Sequence, residues 1–549
     1  MRRATAVLLA LLLAAHAPML LNDGLFMDDW LVLKPRPDFM IDIDFLLRGA
    51  GHPIFFSYDT FANWTGAPIA VMVSLAVAGI FLGAMSLALT ATRLDLLDRA
   101  EAVGFALIVW TYPGYQLWAG KANAVYVLSF GLLFFGAWLL TLAYGARGMR
   151  CALLRLACVL VFMLGFALNS TIVLYAFVML GLFIAAWRSG DAAQGLIQRT
   201  WRAAWSCMTR YPELAVLPLV YWGALNIWFK RTGVYAQHYN AHFPTLSELA
   251  RGWQVFFVTS YWDVVATAFR MAIDASAPLV AAVLLVGAAL FLLRSEADPT
   301  AARFGIAAPL SLAVVLFLAL SFPYLVAGLR PSAVNFYESR HLLMFGLPLA
   351  LILLALKRWS ERAIGPKAAF MVVFGVGSVL SIGVLWNTYI FMQARTLKQE
   401  ALAKDLASRA QPAATVFALD DGFVDYPSRH VPFGFAEVSG MLRLAWGNQP
   451  FFGFALRAER PSVLQELEVA RTAPSSAFSH LDPSGPQATI SLQPGPGAAP
   501  NQALVRKYYA CRLLARCEVS QLLDQIARVN IKVGPIAGIL PLDGTKPSR

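Results

Sequence analysis

The sequence predicts an all-α polytopic membrane protein of about eleven transmembrane helices, followed by a small soluble α/β unit. Three observations carry this expectation. Hydrophobic residues make up 58% of the chain and charged residues 14%, against roughly 45–50% and 25% in soluble domains, and no soluble fold of this size could hide that much apolar surface. Apolar stretches of about 17–25 residues, the length that crosses a hydrocarbon core, recur through residues 1–392. From Gln393 the composition turns polar, and Pro and Gly concentrate in 473–500.

The expected spans are 5–21, 68–91, 102–118, 124–144, 152–168, 171–187, 214–229, 277–293, 305–326, 342–356 and 368–392. The first begins after Arg2 and Arg3 and contains Ala15-His16-Ala17, so it also has the make-up of a signal peptide. We read it as an uncleaved helix. The apolar runs on either side of Asn169 are separated by almost nothing polar. They are kept as two spans, because merging them would put the cluster from Lys357 to Lys367 on the outer side.

Lys and Arg are retained on the cytoplasmic side of a membrane. Arg147, Arg150, Arg199, Arg202, Arg210, Lys357, Arg358, Arg362 and Lys367 all fall in alternate short loops. This places the N-terminus in the cytoplasm and the tail, 393–549, in the periplasm or another extracytoplasmic space. The inner (cell) membrane is the expected location. The formal net charge of +12 thus encodes topology, and nucleic-acid binding, which would need a basic patch on a folded domain, is excluded.

Two outer loops, 22–67 and 230–276, are too long to be plain connectors. Within them 39–47 and 246–258 mix apolar and polar residues in the manner of interfacial helices. In the tail, 415–419 reads as a strand running into the turn Asp420-Asp421-Gly422, 473–500 as flexible linker, and 503–529 as helix. Cys151, Cys158 and Cys207 fit as small hydrophobes. Cys511 and Cys517 could pair in an exported tail, but six residues along one helix point the thiols apart, so a bridge requires a local break.

Candidate chemistry gathers in the outer loops. Asp23-Gly24-Leu25-Phe26-Met27-Asp28-Asp29-Trp30 opens the first of them. Adjacent carboxylates repel and raise one pKa, so Asp28 and Asp29 suit a general base for a hydroxyl or a divalent cation such as Mg or Mn. A solvated helix cap, with Trp30 anchored at the headgroups, is the other reading. Glu338-Ser339-Arg340-His341 stands at the outer end of the tenth span, where positive-inside statistics disfavour arginine. Arg340 offers phosphate a planar fork and His341 a further donor, while pairing of Arg340 with Glu338 or with lipid headgroups is the alternative. Lys121, the lone cation of its loop, suits phosphate contact or interfacial snorkelling. His52 in Gly51-His52-Pro53 suits substrate contact or a turn, and Tyr112 and Tyr115 flank Pro113.

His238 and His242 share a helical spacing but lack a third ligand nearby, and Asp420, Asp421 and Asp425 lack calcium-loop spacing. Walker, GxGxxG, GxSxG and HExxH motifs are absent, which argues against ATP-driven pumps, dinucleotide enzymes and common hydrolases.

With an acidic pair just after the first helix and a soluble C-terminal unit outside, the chain resembles the integral-membrane glycosyltransferases of the GT-C superfamily. The residues that carry the resemblance are Phe26-Met27-Asp28-Asp29-Trp30, Gly51-His52-Pro53 and Glu338-Ser339-Arg340-His341-Leu342-Leu343. It implies a polyprenyl-phosphate-linked sugar donor and a lipid-linked or other envelope glycan as acceptor. Asp28 or Asp29 would be the base. Arg340, with His341 or Lys121, would stabilise the departing phosphate. Some members use a divalent metal and others do not. Asp-Asp-Trp departs from the Asp-Glu of better-known branches, as does the histidine before Pro53. Two other outward-facing readings stand beside this one, a transporter or flippase of lipid-linked saccharides and an O-antigen polymerase or ligase. The spans show no clear internal repeat and little charge, which disfavours transport.

Overall fold

The computed structural model describes residues 2–536 except 33–60, 170, 190–194, 231, 233–243, 275, 294–304, 330, 332–336, 423–431, 448, 457–462, 465–466, 469, 472–477 and 483–484. His52, His238, His242, Arg330, Asp425 and the expected helix 39–47 lie outside the described residues, as does the side chain of Glu338.

Among the described residues, 7 helical segments are long and apolar enough to cross a membrane. They are α1 (Arg2–Leu20), α3 (Pro68–Arg93), α5 (Ala124–Tyr144), α6 (Gly148–Leu168), α13 (Ala307–Val326), α14 (Gly346–Ile364) with the 3₁₀ turn Tyr337–Phe345 before it, and α15 (Pro366–Ala407). Three shorter apolar helices fill further expected spans: α7 (Ile172–Ser189), α9 (Pro212–Trp228) and α12 (Ser276–Leu293). A four-residue turn of helix, α2 (Asp29–Val32), closes the described part of the first loop.

The remaining expected span, 102–118, is corrected. Helix α4 (Arg99–Trp110) stops after 12 residues, and 111–123 continues as irregular backbone that is buried throughout. Pro113 disfavours the helical region for Tyr112 and removes a backbone donor, so the helix ends before it. Non-helical backbone at membrane depth is tolerated only inside protein. The apolar run reflected a packed interior here, not lipid.

Helices α3 and α5 run in the same direction. Arg93 Nε donates to Thr141 O at 3.2 Å at one end, and further along Gly79 and Gly131 bring the backbones together, a Cβ on Gly131 falling 2.3 Å from Gly79 O. Small residues permit such close approach. Helix α4 with 111–123 is therefore the return crossing between them. It carries its own buried lock at the start. Asp98 and Glu101 form a reciprocal cap, and Glu101 Oε1 accepts from Lys357 at 2.8 Å and Arg358 at 2.7 Å, all three side chains being under 10% exposed.

Two amphipathic helices flank the bundle. Helix α10 (Leu246–Phe257), capped by Thr245 and Glu248, matches the expected interfacial segment. Helix α8 (Leu196–Arg210), within the expected inside loop, was not anticipated; it exposes Ile197, Trp201 and Trp205 beside Arg199 and Arg202, a composition suited to a membrane surface.

Helix α15 is 42 residues long, about 63 Å at 1.5 Å per residue, or roughly twice the hydrocarbon thickness. The boundary expected at 392/393 is therefore no break, because the helix continues as the spine of the tail. Arg395 meets Glu437 on α16 (Phe435–Trp446) through Nε at 2.9 Å and a second nitrogen at 2.5 Å, and Gln399 Nε2 donates to the same carboxylate at 2.8 Å. Lys398 pairs with Asp421.

The tail sheet has the order β2-β1-β3-β4. Strand β1 (Val416–Asp421) pairs in parallel with β2 (Phe452–Ala455) and β3 (Gln487–Pro494), and β4 (Ala527–Val533) pairs antiparallel with β3. The expected linker 473–500 thus contains an inner strand. Pro486 and Pro494 bracket a short alternating run, Ala488 to Leu492, whose apolar residues are fully buried, and the surrounding Pro and Gly masked it. The expected helix 503–529 is split into α17 (Asn501–Leu514) and α18 (Val519–Ile526), with 527–529 passing into β4. Between the two helices Ala515 adopts φ +51°, which turns the chain back and joins Cys511 to Cys517 in a disulfide with Cα atoms 4.5 Å apart.

Candidate functional site

Segment 111–123 is the platform on which the candidate residues meet. At one end Gln116 N donates to Ser339 Oγ at 3.1 Å, fixing the 3₁₀ turn that carries Arg340 and His341. At the other end Ala122 N donates to Asp29 Oδ1 at 2.6 Å, and the Lys121 ammonium reaches Gly24 O and, at 3.3 Å, Asn22 Oδ1. Two loops more than 300 residues apart in sequence are thus held on one short stretch of chain.

The two aspartates occupy different environments. Asp29 is 0% exposed. Its Oδ2 accepts from Phe26 N at 3.0 Å while its own N–H donates to Phe26 O at 2.9 Å, closing the turn on itself. Burial pushes the Asp29 carboxyl up to about 6, against the opposing pull of Lys121 and the backbone N–H groups of Ala122, Lys121 and Phe26. Asp28 is half-buried, in the same tight turn after Met27. Met27 holds φ +49°, a left-handed conformation that costs a non-glycine residue of order 1–3 kcal/mol and clusters at functional sites.

Lys121 is 2% exposed, and its ammonium lies 4.8 Å from the Phe26 ring centre. The geometry spends this cation on holding the 22–29 turn. Trp30 is likewise inside the protein. Its indole N–H donates to Leu25 O at 3.0 Å, and its ring packs on Gly440, where a Cβ would fall 2.3 Å from it. The expected headgroup anchor is replaced by a clasp on α16, because the tail folds over the loop.

Arg340 is half-buried and its Nε points to His341 Nε2 at 3.4 Å, and the His341 ring lies 4.9 Å from that of Tyr324. Tyr324 is within electrostatic reach of Arg340, and Tyr115 of both Tyr324 and Asp29. Among the described residues the buried Tyr115 hydroxyl has no hydrogen-bond partner, whereas Tyr112 donates to Ser260 O at 2.6 Å. Tyr115 therefore holds an unspent polar group within reach of Asp29, and Tyr112 is a packing residue.

Both Asp29 oxygens already accept backbone N–H groups, and no group of three suitable metal ligands occurs among the described residues.

Sequence reasoning passed over Asn22, which orients Lys121, and His16. The His16 ring bonds the Tyr389 hydroxyl at 2.7 Å and Trp110 O at 2.9 Å, tying α1 to α4 and α15. A lone ionisable residue in an apolar span was the available signal.

No protein-family model matches the chain, and no curated protein matches it. Among solved structures, it is similar to ArnT from Cupriavidus metallidurans bound to undecaprenyl phosphate, at 11% identity and a TM-score of 0.32, with 97% of this chain and 98% of that one covered. The apo state of the same protein aligns at 10% identity and a TM-score of 0.31, covering 92% and 95%.

Proposed function

We propose that this chain is a membrane glycosyltransferase of the GT-C kind that moves a sugar from a polyprenyl-phosphate carrier to a lipid-linked or other envelope glycan. The observation that carries the reading is the joint anchoring of the Asp28-Asp29 turn and the Arg340 turn on segment 111–123.

Asp28, the more accessible carboxylate, is the base. It takes the proton of the acceptor hydroxyl as that oxygen bonds to the anomeric carbon. The bond from that carbon to the phosphate oxygen breaks, and the electron pair leaves with the lipid phosphate. Arg340, backed by His341, stabilises the charge that grows there, and Tyr115 offers a further hydroxyl. Base catalysis and electrostatic stabilisation of a leaving group need no nucleotide. Asp29 and Lys121 are positioning residues that fix the turn presenting Asp28.

Charge supports a reading of the face. Arg147, Arg150, Arg199, Arg202, Arg210, Arg362 and Lys367 lie between crossings at the end of the bundle away from the tail, which suits the cytoplasmic side of a cell (inner) membrane. The Cys511–Cys517 bridge suits a tail in an oxidising compartment.

Transfer of labelled sugar from a polyprenyl-phosphate donor, measured in membranes, tests the reading. Arg340→Ala is expected to lower kcat by about 10²–10³ and Arg340→Lys to restore only part, since lysine lacks the bidentate fork. Undiminished transfer by Arg340→Ala would overturn the assignment.

The positioning carboxylate predicts a pH profile. Burial raises Asp29 to about 6, so its hold on the turn is lost as pH falls and transfer is expected to drop through about pH 6. Asp29→Asn should remove that inflection and leave the limb set by Asp28. A profile identical in wild type and Asp29→Asn would assign Asp29 no part in it.

A further inference from the structure

Beside the first outer loop, lined by Asn22 to Leu25 and Trp30, a crevice of about 1050 Å³ separates the bundle from the tail. One wall is apolar and belongs to the membrane helices, with Leu20 and Leu21 at the end of α1 and Ile69 and Val73 on α3. Leu20 is 51% exposed and Ala70 and Ser74 are open beside it, so the crevice reaches the lipid-facing side of the bundle.

The opposite wall is polar. Asp23 and Arg512 form an ion pair at 3.1 Å, and Glu400, half-buried on α15, lies within electrostatic reach of both while accepting no hydrogen bond among the described residues. Lys404 is already neutralised by Asp524 at 2.5 Å. Asn22 closes the inner end. It is 2% exposed, and among the described residues its Nδ2 has no partner, although its Oδ1 accepts from Gly24 N and Lys121. Asp23 offsets Arg512, and burial raises the Glu400 carboxyl to about 7, so near neutrality this wall carries no surplus cation to hold a phosphate. It suits hydroxyl groups, which donate to carboxyl oxygens and accept from guanidinium and amide N–H.

We propose that this crevice binds the uncharged, hydroxyl-rich sugar headgroup of a membrane lipid, its chain lying along α1 and α3; under the transferase reading, on which only this role rests, that lipid is the acceptor. The cationic turn at Arg340 then serves the phosphate-bearing donor, and the crevice serves the acceptor.

The test is lipid retention by the full chain in phosphatidylcholine nanodiscs doped equally with glucosyl-diacylglycerol and phosphatidylglycerol, counted by mass spectrometry. Wild type is expected to favour the glucosyl lipid. Glu400→Gln should weaken it about tenfold, the scale of one lost charge-assisted bond. Ser74→Trp, which fills the open wall, should abolish it, and Glu400→Lys should turn the preference toward phosphatidylglycerol. A matched melting temperature shows each variant folded, and if Ser74→Trp fails that check the Glu400→Lys reversal decides alone. Equal retention of the doped lipids by wild type, or a glucosyl preference unmoved by Glu400→Lys, overturns the proposal. Lipid retention needs no chemistry. Transfer that depends on Arg340 without crevice binding would leave the transferase reading standing, and binding without transfer would remove that reading but not the site.

Discussion

Replacing Asp28 by Asn is expected to lower sugar transfer by about 10²–10⁴, the usual contribution of a positioned general base, with little change in stability. The side chain is half-buried and isosteric with Asn, so the turn should keep its shape while losing its proton acceptor. Asp29→Asn should behave differently. Its Oδ2 and Oδ1 accept from Phe26 N and Ala122 N, and an amide has one oxygen where the carboxylate has two. One of these donors then faces an NH₂ group, which costs about 1–3 kcal/mol for a buried unsatisfied group. Asp29→Asn should therefore lower the melting temperature as well as activity, and this pairing of effects separates a supporting carboxylate from a reacting one. Single-turnover rates with pre-bound donor, measured beside thermal melts, resolve the two. Full activity in Asp28→Asn combined with loss only in Asp29→Asn would reverse the assignment.

Glu101→Gln should be the most damaging single change to stability. Lys357 and Arg358 both direct their charge to Glu101 Oε1, at side-chain exposures of 3%, 8% and 1% for Lys357, Arg358 and Glu101. Glu361 also reaches both cations, and Asp98 of the cap stands beside the cluster. Removing the shared anion leaves two buried cations under-compensated, and breaking a buried pair in this way costs about 3–5 kcal/mol. The triple variant Glu101→Gln, Lys357→Met, Arg358→Met is expected to recover much of that loss, because a matched apolar replacement is often neutral. Thermal melts in one detergent check both. A single variant as stable as wild type would show the cluster to be hydrated and weakly coupled.

Much of the fold was legible because hydrocarbon thickness imposes a length on every span. Residues 124–144 form a helix with the expected limits, and α3, α9 and α12 agree to within two residues. What failed did so where tertiary burial imitates lipid. The run 102–118 is apolar because it is packed within protein, and hydropathy alone does not tell one dry surrounding from the other. In the tail, the Pro and Gly residues around β3 outweighed its five alternating residues, since punctuation is strong and short strands are weak signals. The candidate site was legible as a set of residues but not as a division of labour. Asp28 and Asp29 are chemically identical in sequence, and only the reach of Ala122 N to one of them distinguishes their roles. Likewise Lys121 was visible as a lone cation, but its partners at Gly24 and Asn22 arrive from about a hundred residues away.

The unbroken α15 has a mechanical meaning. A tail joined by a flexible tether would sample many heights above the membrane and would have to find the first loop anew each time. A continuous helix whose buried Arg395 is bolted to Glu437 behaves as a strut, so the roof over Asp28 stands at a fixed altitude and bearing. The clearance between that roof and the bilayer is then a built-in gauge, and the size of headgroup admitted beneath it is a matter of helix length as much as of side chains.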